Sequence, residues 1–241
     1  MKKRQIVTII IVFVAFGLVQ TLACTPIQTQ TEPPASNAVE SDGKRIILPQ
    51  VAYTSDTPVE QALRKRRSVR QYQDQALTVA DLSQLLWAAQ GITHPGGLRT
   101  APSAGALYPL EVYAVVGNVE DLAAGVYQYK PQTHELVQIA AGDKRAALSQ
   151  AALGQEAVQD AAVVITLAAV YDRTTVKYGE RGIRYVHMEV GAAAQNVYLQ
   201  AASLELGTVF IGAFHDEQVK NVLNLRDEEE PLCLLPVGRS L

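Results

Sequence analysis

Four cationic or hydroxyl side chains crowd one short stretch, Arg66, Arg67, Ser68 and Arg70. Guanidiniums four residues apart with a hydroxyl between them can clamp a phosphate, because Arg meets an oxyanion through paired hydrogen bonds. The same composition also suits a solvated basic helix end, which the helix dipole favours. On the residues alone both readings stay open. A second stretch, Arg99 to Pro109 (RTAPSAGALYP), is rich in small residues and leads into a strand. Small side chains let backbone approach a flat ligand, and Ser103 offers a donor. A plain tight turn would explain it equally well. A serine-hydrolase elbow would not, since that motif needs Gly two positions before the serine and Ala101 stands there. Gly212, set in the apolar run Thr208 to Phe214, suggests a bulge or close ligand approach. Near the chain's end Pro236-Val237-Gly238-Arg239 places a cation after the last strand. His94, His134, His187 and His215 do not pair at metal spacing, and neither do Cys24 and Cys233, so no metal site is expected. Tyr185 and His215 are the best-placed acids.

These stretches need elements to position them. Thr57-Pro58-Val59-Glu60 predicts a capped helix to about Arg66, with Glu60 closing a capping box. Thr78 with Asp81 opens a second, whose Leu82, Leu85, Leu86 and Ala89 share a face and which Gly91 stops. Glu111 to Val116 and Ala161 to Val170 read as buried strands, and Gly125 to Tyr129 with Glu135 to Ile139 as a hairpin. Asp143 to Leu153 is Ala-rich and helical. From Arg181 to Leu206, Ile183, Val186, Val190, Ala193, Val197, Ala201 and Leu204 recur in steps of three and four. That predicts a helix of about 39 Å ended by Gly207, long enough to run through a core or a subunit interface. Thr208 to Phe214 and Leu232 to Val237 complete the strands, around a helix capped at Asp216. The class is α+β, with a central sheet flanked by helices.

Composition bounds the function. The chain has 241 residues, 48% hydrophobic and 19% charged, so it folds rather than staying disordered. Removing the three cations Lys2, Lys3 and Arg4 from a net charge of −3 leaves −6, which excludes a broad basic face for nucleic acid. Those cations precede an apolar run from Ile6 to Val19, about 21 Å as a helix and short of a hydrocarbon core. Residues 1–23 therefore read as a secretory signal or an uncleaved anchor. Leu22-Ala23-Cys24 is similar to the end of a bacterial lipoprotein signal, in which the cysteine is lipidated. Either way the remainder is expected outside the cytoplasm, membrane-anchored through Cys24 or the apolar run. Residues 24–44 form a polar tether with a Pro pair, and the folded domain is expected at 45–241.

Four stretches in order (RRSVR, RTAPSAGALYPLEVY, KYGERGIRY leading into GAAAQNVYLQAASLELGTVFIGAF, and LLPVGR) resemble the FMN-dependent nitroreductase superfamily, most closely its SagB-type dehydrogenase branch. The resemblance covers about Thr57 to Arg239. It implies a nitroreductase-like fold with a mostly antiparallel sheet and a long interface helix. It also implies an obligate homodimer with FMN at the interface, acting on a small organic substrate. By position, Arg66, Arg67, Ser68 and Arg70 match the stretch holding the ribityl phosphate and the pyrimidine edge. Pro102, Ser103 and Ala104 match the loop reaching the flavin from the second subunit. Gly212 and Ala213 match the turn against the isoalloxazine, and Arg239 the basic residue closing on the phosphate. The family's usual Asn and Gln-Pro-Trp after the Pro-Ser pair are replaced by Ala106 and Tyr108-Pro109-Leu110, which points to the SagB-type branch. Other SagB-type proteins resemble azoline oxidases of peptide maturation, which need a partner cyclodehydratase. A lipoprotein that keeps the fold only as a binding or scaffold module is the non-catalytic alternative. No Gly-rich dinucleotide fingerprint follows a strand, and electrons are expected from an extracytoplasmic organic substrate or a membrane quinol rather than NAD(P)H.

Overall fold

The computed structural model describes residues 43–241, so Cys24 and the signal or anchor lie outside the described residues. Among the described residues seven strands form one sheet: β1 (Arg45–Ile47), β2 (Leu110–Val116), β3 (Gly125–Lys130), β4 (Glu135–Ala141), β5 (Val163–Ala169), β6 (Leu206–Thr208) and β7 (Glu230–Arg239). Their order is β1-β4-β3-β2-β5-β7-β6, and every pairing is antiparallel. The expected hairpin is β3–β4, with a bulge between Val126 and Tyr127.

Alternation along the strands divides the core in two. Val112, Ala114 and Val116 of β2 face one side, while Tyr113 and Val115 face the other. The first side is covered by α2 (Val79–Gln90) and α6 (Arg181–Ser203). Leu82, Leu85, Leu86 and Ala89 are fully buried there, as the spacing predicts, and Val186, Val190, Ala193, Val197 and Ala201 meet them from α6. Ile183, expected on that stripe, is exposed in the first turn of α6. The second side is covered by α3 (Arg145–Ala151), α4 (Glu156–Asp160) and α7 (Asp216–Leu223). Two further helices among the described residues are α1 (Val59–Lys65) and α5 (Asp172–Tyr178). No helix among the described residues is long and apolar enough to cross a membrane.

Several local expectations meet competition. In α2 the capping box forms: Thr78 Oγ1 accepts from the Asp81 amide at 3.0 Å, and Asp81 Oδ2 from the Thr78 amide at 3.1 Å. In α1 it does not. Ser55 Oγ takes the Thr57 amide at 2.9 Å, the chain turns there, and Pro58 becomes the cap without a side-chain bond. At α7 the cap is His215, and Asp216 lies inside the first turn. The long helix has 23 residues instead of 26, because Glu205 takes the left-handed conformation expected of Gly207. The run Thr208 to Phe214 is not one strand. β6 stops at Thr208, and only Ile211 touches the sheet again, opposite Leu234.

Candidate functional site

After α1 the chain runs along the sheet edge beside β6 and β7. Ser68 bridges Thr208, the Val69 amide donates to the Thr208 carbonyl at 2.9 Å, and the Gln73 amide to the Arg239 carbonyl at 2.9 Å. Two glycines make the approach possible. A Cβ at Gly207 would sit 2.6 Å from Val69 Cγ1, and one at Gly238 2.7 Å from Tyr72 Cγ. The fold thereby runs the segment that carries Arg66, Arg67, Ser68 and Arg70 along the edge where Arg239 lies, although Arg239 is distant in sequence.

Their guanidiniums are held differently. That of Arg66 lies over the Tyr198 ring, 5.2 Å from its centroid. Arg67 Nη1 donates to the carbonyls of Arg64 and Arg66 at 3.0 and 2.7 Å. Arg70 is exposed and has no hydrogen bond or ion pair among the described residues. Arg239 Nη2 reaches Asp81 Oδ2 at 3.3 Å, while its buried Nε has no partner among the described residues. Thr208 Oγ1 is likewise buried and unpartnered. A cavity of about 270 Å³ opens beside them, lined by Lys65, Arg66, Arg67, Thr208 and Ser240 among others. An unpartnered buried hydroxyl, that of Thr208, beside a cavity with three cations in its lining suits an anionic oxygen-rich group.

Tyr198 of α6 joins this cradle to the next one. Its hydroxyl lies 3.2 Å from Ser68 Oγ and accepts the Phe210 amide at 2.7 Å. That bond takes Phe210 out of the sheet ladder and turns the chain outward. Phe210, Gly212 and Ala213 are exposed there, and a Cβ at Gly212 would meet nothing nearer than Phe210 Cε1 at 3.6 Å. The expected bulge within a strand is replaced by an open turn able to lie against a flat ring.

The loop with Pro102, Ser103 and Ala104 sits elsewhere. It tightens into a 3-10 turn at Ala104–Ala106, with Gly105, Ala106 and Tyr108 all at positive φ. Ser103 Oγ accepts the Tyr108 amide at 2.9 Å, and Glu189 of α6 stands nearby. Glu189 is 4% exposed. Burial pushes its carboxyl up to about 7, against the opposing pull of Ser103 and the Arg99 guanidinium. From α5, Lys177 Nζ and the Tyr178 hydroxyl close on Gly105, 2.9 and 2.8 Å from where a Cβ would stand. Tyr185 packs edge-to-face on Tyr178 with centroids 5.2 Å apart, while His215 lies exposed at the start of α7. Ser103 thus neighbours Glu189 and Ser68 neighbours Tyr198, two points about 13 Å apart along one helix. Within one chain the loop and the cationic cradle remain separate.

Sequence reasoning missed Tyr198, Thr208, Glu189 and the Lys177-Tyr178 pair. Glu189 carried a usable signal. It lies between Val186 and Ala193 on the buried stripe, where a carboxylate is out of place without a task.

The chain pairs an antiparallel α+β sheet with a cationic stretch at its edge and an open glycine turn. The description "Nitroreductase family" matches residues 63–239. A Methanocaldococcus jannaschii protein named as a candidate nitroreductase is 48% identical over 200 residues, covering 83% of this chain and 98% of that protein. A solved structure from Ralstonia eutropha, titled in the same way, superposes with a TM-score of 0.73 at 33% identity, over 82% of this chain and 90% of that one. The microcin B17-processing protein McbC of Escherichia coli is 29% identical over 155 residues, 62% of this chain and 57% of McbC. The chain belongs to the nitroreductase family of oxidoreductases.

Proposed function

We propose that the chain is an FMN-dependent oxidoreductase of the SagB type, working as a homodimer on a small organic substrate. The observation that supports it most is the cavity lined by Lys65, Arg66 and Arg67, with the buried, unpartnered Thr208 Oγ1 beside it. Arg66, Arg67, Ser68, Arg70 and Arg239 would hold the phosphate and pyrimidine edge, and the open turn at Gly212 and Ala213 would lie against the ring. Pro102, Ser103 and Ala104 would come from the second subunit, consistent with their separation from the cradle within one chain. FMN, when bound, supplies reversible two-electron transfer to or from the substrate. The chain's own residues then bind, orient and manage protons: Arg66 and Arg70 neutralise the phosphate charge, and Tyr198 fixes the Phe210 turn. Lys177 and Tyr178 offer a cation and a hydroxyl proton beside the loop.

Electrons would come from an extracytoplasmic organic substrate or a quinol, with the domain tethered to a membrane through lipidated Cys24 or an uncleaved anchor. Fluorescence titration of the refolded protein with FMN tests the cofactor. Uptake of one flavin per chain is expected, and no uptake would favour a non-catalytic scaffold. Stopped-flow mixing with NADH tests the donor, and bleaching within milliseconds at micromolar NADH would overturn the donor assignment and count against export.

The likeness to the microcin B17-processing protein supports a second reading within the same class, an oxidase that aromatises azoline rings in a modified peptide. Turnover of an azoline-bearing peptide in the presence of a cyclodehydratase partner would favour it over a small free substrate.

A further inference from the structure

A second cavity, of about 330 Å³, lies at the root of the loop that Arg99 opens, and it shares no residue with the cavity at Arg66. Four cations line it, Arg99, Lys130, Arg173 and Arg226, against one carboxylate, Glu111. That carboxylate is already engaged. Glu111 Oε1 pairs with Arg173 Nη2, and its Oε2 accepts from Gln128 Nε2 at 3.0 Å. Arg226 pairs with Glu229 at 2.7 Å and Glu228 at 3.3 Å, and stands 3.7 Å from Glu111. Arg99 and Lys130 are different: neither has an ion pair among the described residues. The Lys130 ammonium has no hydrogen bond there either. Arg99 makes one, from Nη1 to Gln90 Oε1 at 2.8 Å, while its buried Nε has no partner. Its guanidinium lies 4.5 Å from the Tyr108 ring centroid. Glu189 of α6 acts on Arg99 electrostatically but does not line the cavity.

Two cations without a counter-ion on one cavity repel each other, and an anion between them reverses the sign of that energy. A guanidinium meets carboxylate or phosphate oxygens through paired N–H donors, and an ammonium adds a point charge. We propose that this cavity binds a small dianion, a carboxylate or phosphate compound, through Arg99 and Lys130. Arg173 and Arg226 keep their own carboxylates and contribute only their field. The two unpaired cations set the charge of the ligand. The volume, near the lower limit of small-molecule sites at about 300 Å³, restricts it to a compact one. An oxyanion against Arg99 also gives its unsatisfied N–H groups an acceptor, which no group among the described residues does. Bound there, the ligand touches both ends of the loop, since Arg99 opens it, Leu110 follows it and both line the cavity. The proposal stands apart from the flavin reading, because none of these residues belongs to the cradle.

Calorimetric titration of the flavin-free full chain with inorganic phosphate and, separately, with succinate reads this directly. Both probes are mainly dianions at about pH 8, and sodium chloride holds the ionic strength constant throughout. At least one of them should bind with a Kd of about 1 mM or below. Lys130→Ala should weaken that binding about tenfold, the effect of losing one charged hydrogen bond. Its melting temperature should match wild type, because Lys130 has no partner to lose. Arg99→Lys keeps the charge without the planar fork and should weaken binding by a similar factor. Loss of phosphate binding alone in these variants assigns the site to a phosphate compound, and loss of succinate binding alone to a dicarboxylate. Phosphate can also enter the cradle at Arg66, so the variants decide the location. Binding that both variants leave intact lies elsewhere and overturns the inference. So does the absence of binding by either probe up to about 10 mM.

Discussion

Ser68 Oγ lies 3.2 Å from the Tyr198 hydroxyl, and the same hydroxyl accepts the Phe210 amide at 2.7 Å. Since the tyrosine oxygen accepts from Phe210, its own proton is free to donate to Ser68. One side chain of α6 therefore ties the cationic cradle to the open turn at Gly212. Tyr198→Phe leaves the Phe210 amide without its partner, at about 1–3 kcal/mol. The expected outcome is a lower melting temperature and weaker FMN binding together, measured by calorimetry and titration. A variant that loses neither would show the link to be incidental.

How far this was legible in the sequence depends on range. The basic stretch at Arg66 and the capping box at Thr78 are written locally, and both form where the spacing puts them. The α+β class and the hairpin follow from periodicity. Gly207 shows where local reading fails. It looked like a helix stop, yet it is glycine because Val69, from a distant segment, packs where its Cβ would be. Tyr198 and Glu189 were hidden for a related reason: a helix pattern tells which face is buried, but not which loop docks on it. Only tertiary packing puts Ser68 against one and Ser103 against the other.

Arg70 separates binding from folding. It is exposed and free of hydrogen bonds and ion pairs among the described residues, so its removal should leave the fold intact. A phosphate that loses a charged partner loses about 1.5–3 kcal/mol. Arg70→Ala should therefore weaken FMN binding about tenfold to a hundredfold while its melting temperature without flavin matches wild type. Undiminished flavin affinity would remove Arg70 from the cradle.

The separation of Ser103 from Ser68 along α6 makes a further demand. If each flavin takes Arg70 from one protomer and Ala104 from its partner, two defective chains can complement. An Arg70→Ala chain paired with an Ala104→Trp chain would carry both lesions in one site and none in the other. Co-refolded mixtures should recover up to half of the sites of the dimers formed between the two variants, read as bound flavin after gel filtration. No recovery would place both groups on the same chain, and a flavin-loaded monomer in sedimentation would refute the dimer outright.

Glu189 predicts the pH dependence of stability in the flavin-free protein. Burial raises its carboxyl to about 7 in the folded state, from the ordinary 4.5 of an unfolded glutamate. Between those two values the folded chain holds a proton that the unfolded chain has released. Stability from this group is thus fully present below about pH 4.5 and is lost as the pH rises through about 7, the reverse of a salt-bridged carboxylate. The loss is bounded by the size of the shift, at most about 3.5 kcal/mol. Glu189→Gln cannot titrate, so the difference between its urea midpoint and that of wild type should widen across the window and then level off. The subtraction cancels the other carboxylates, which both proteins share. A difference that stays constant from about pH 4.5 to about pH 8 would mean that Glu189 is ionised in the fold, with Arg99 neutralising it instead of a bound proton.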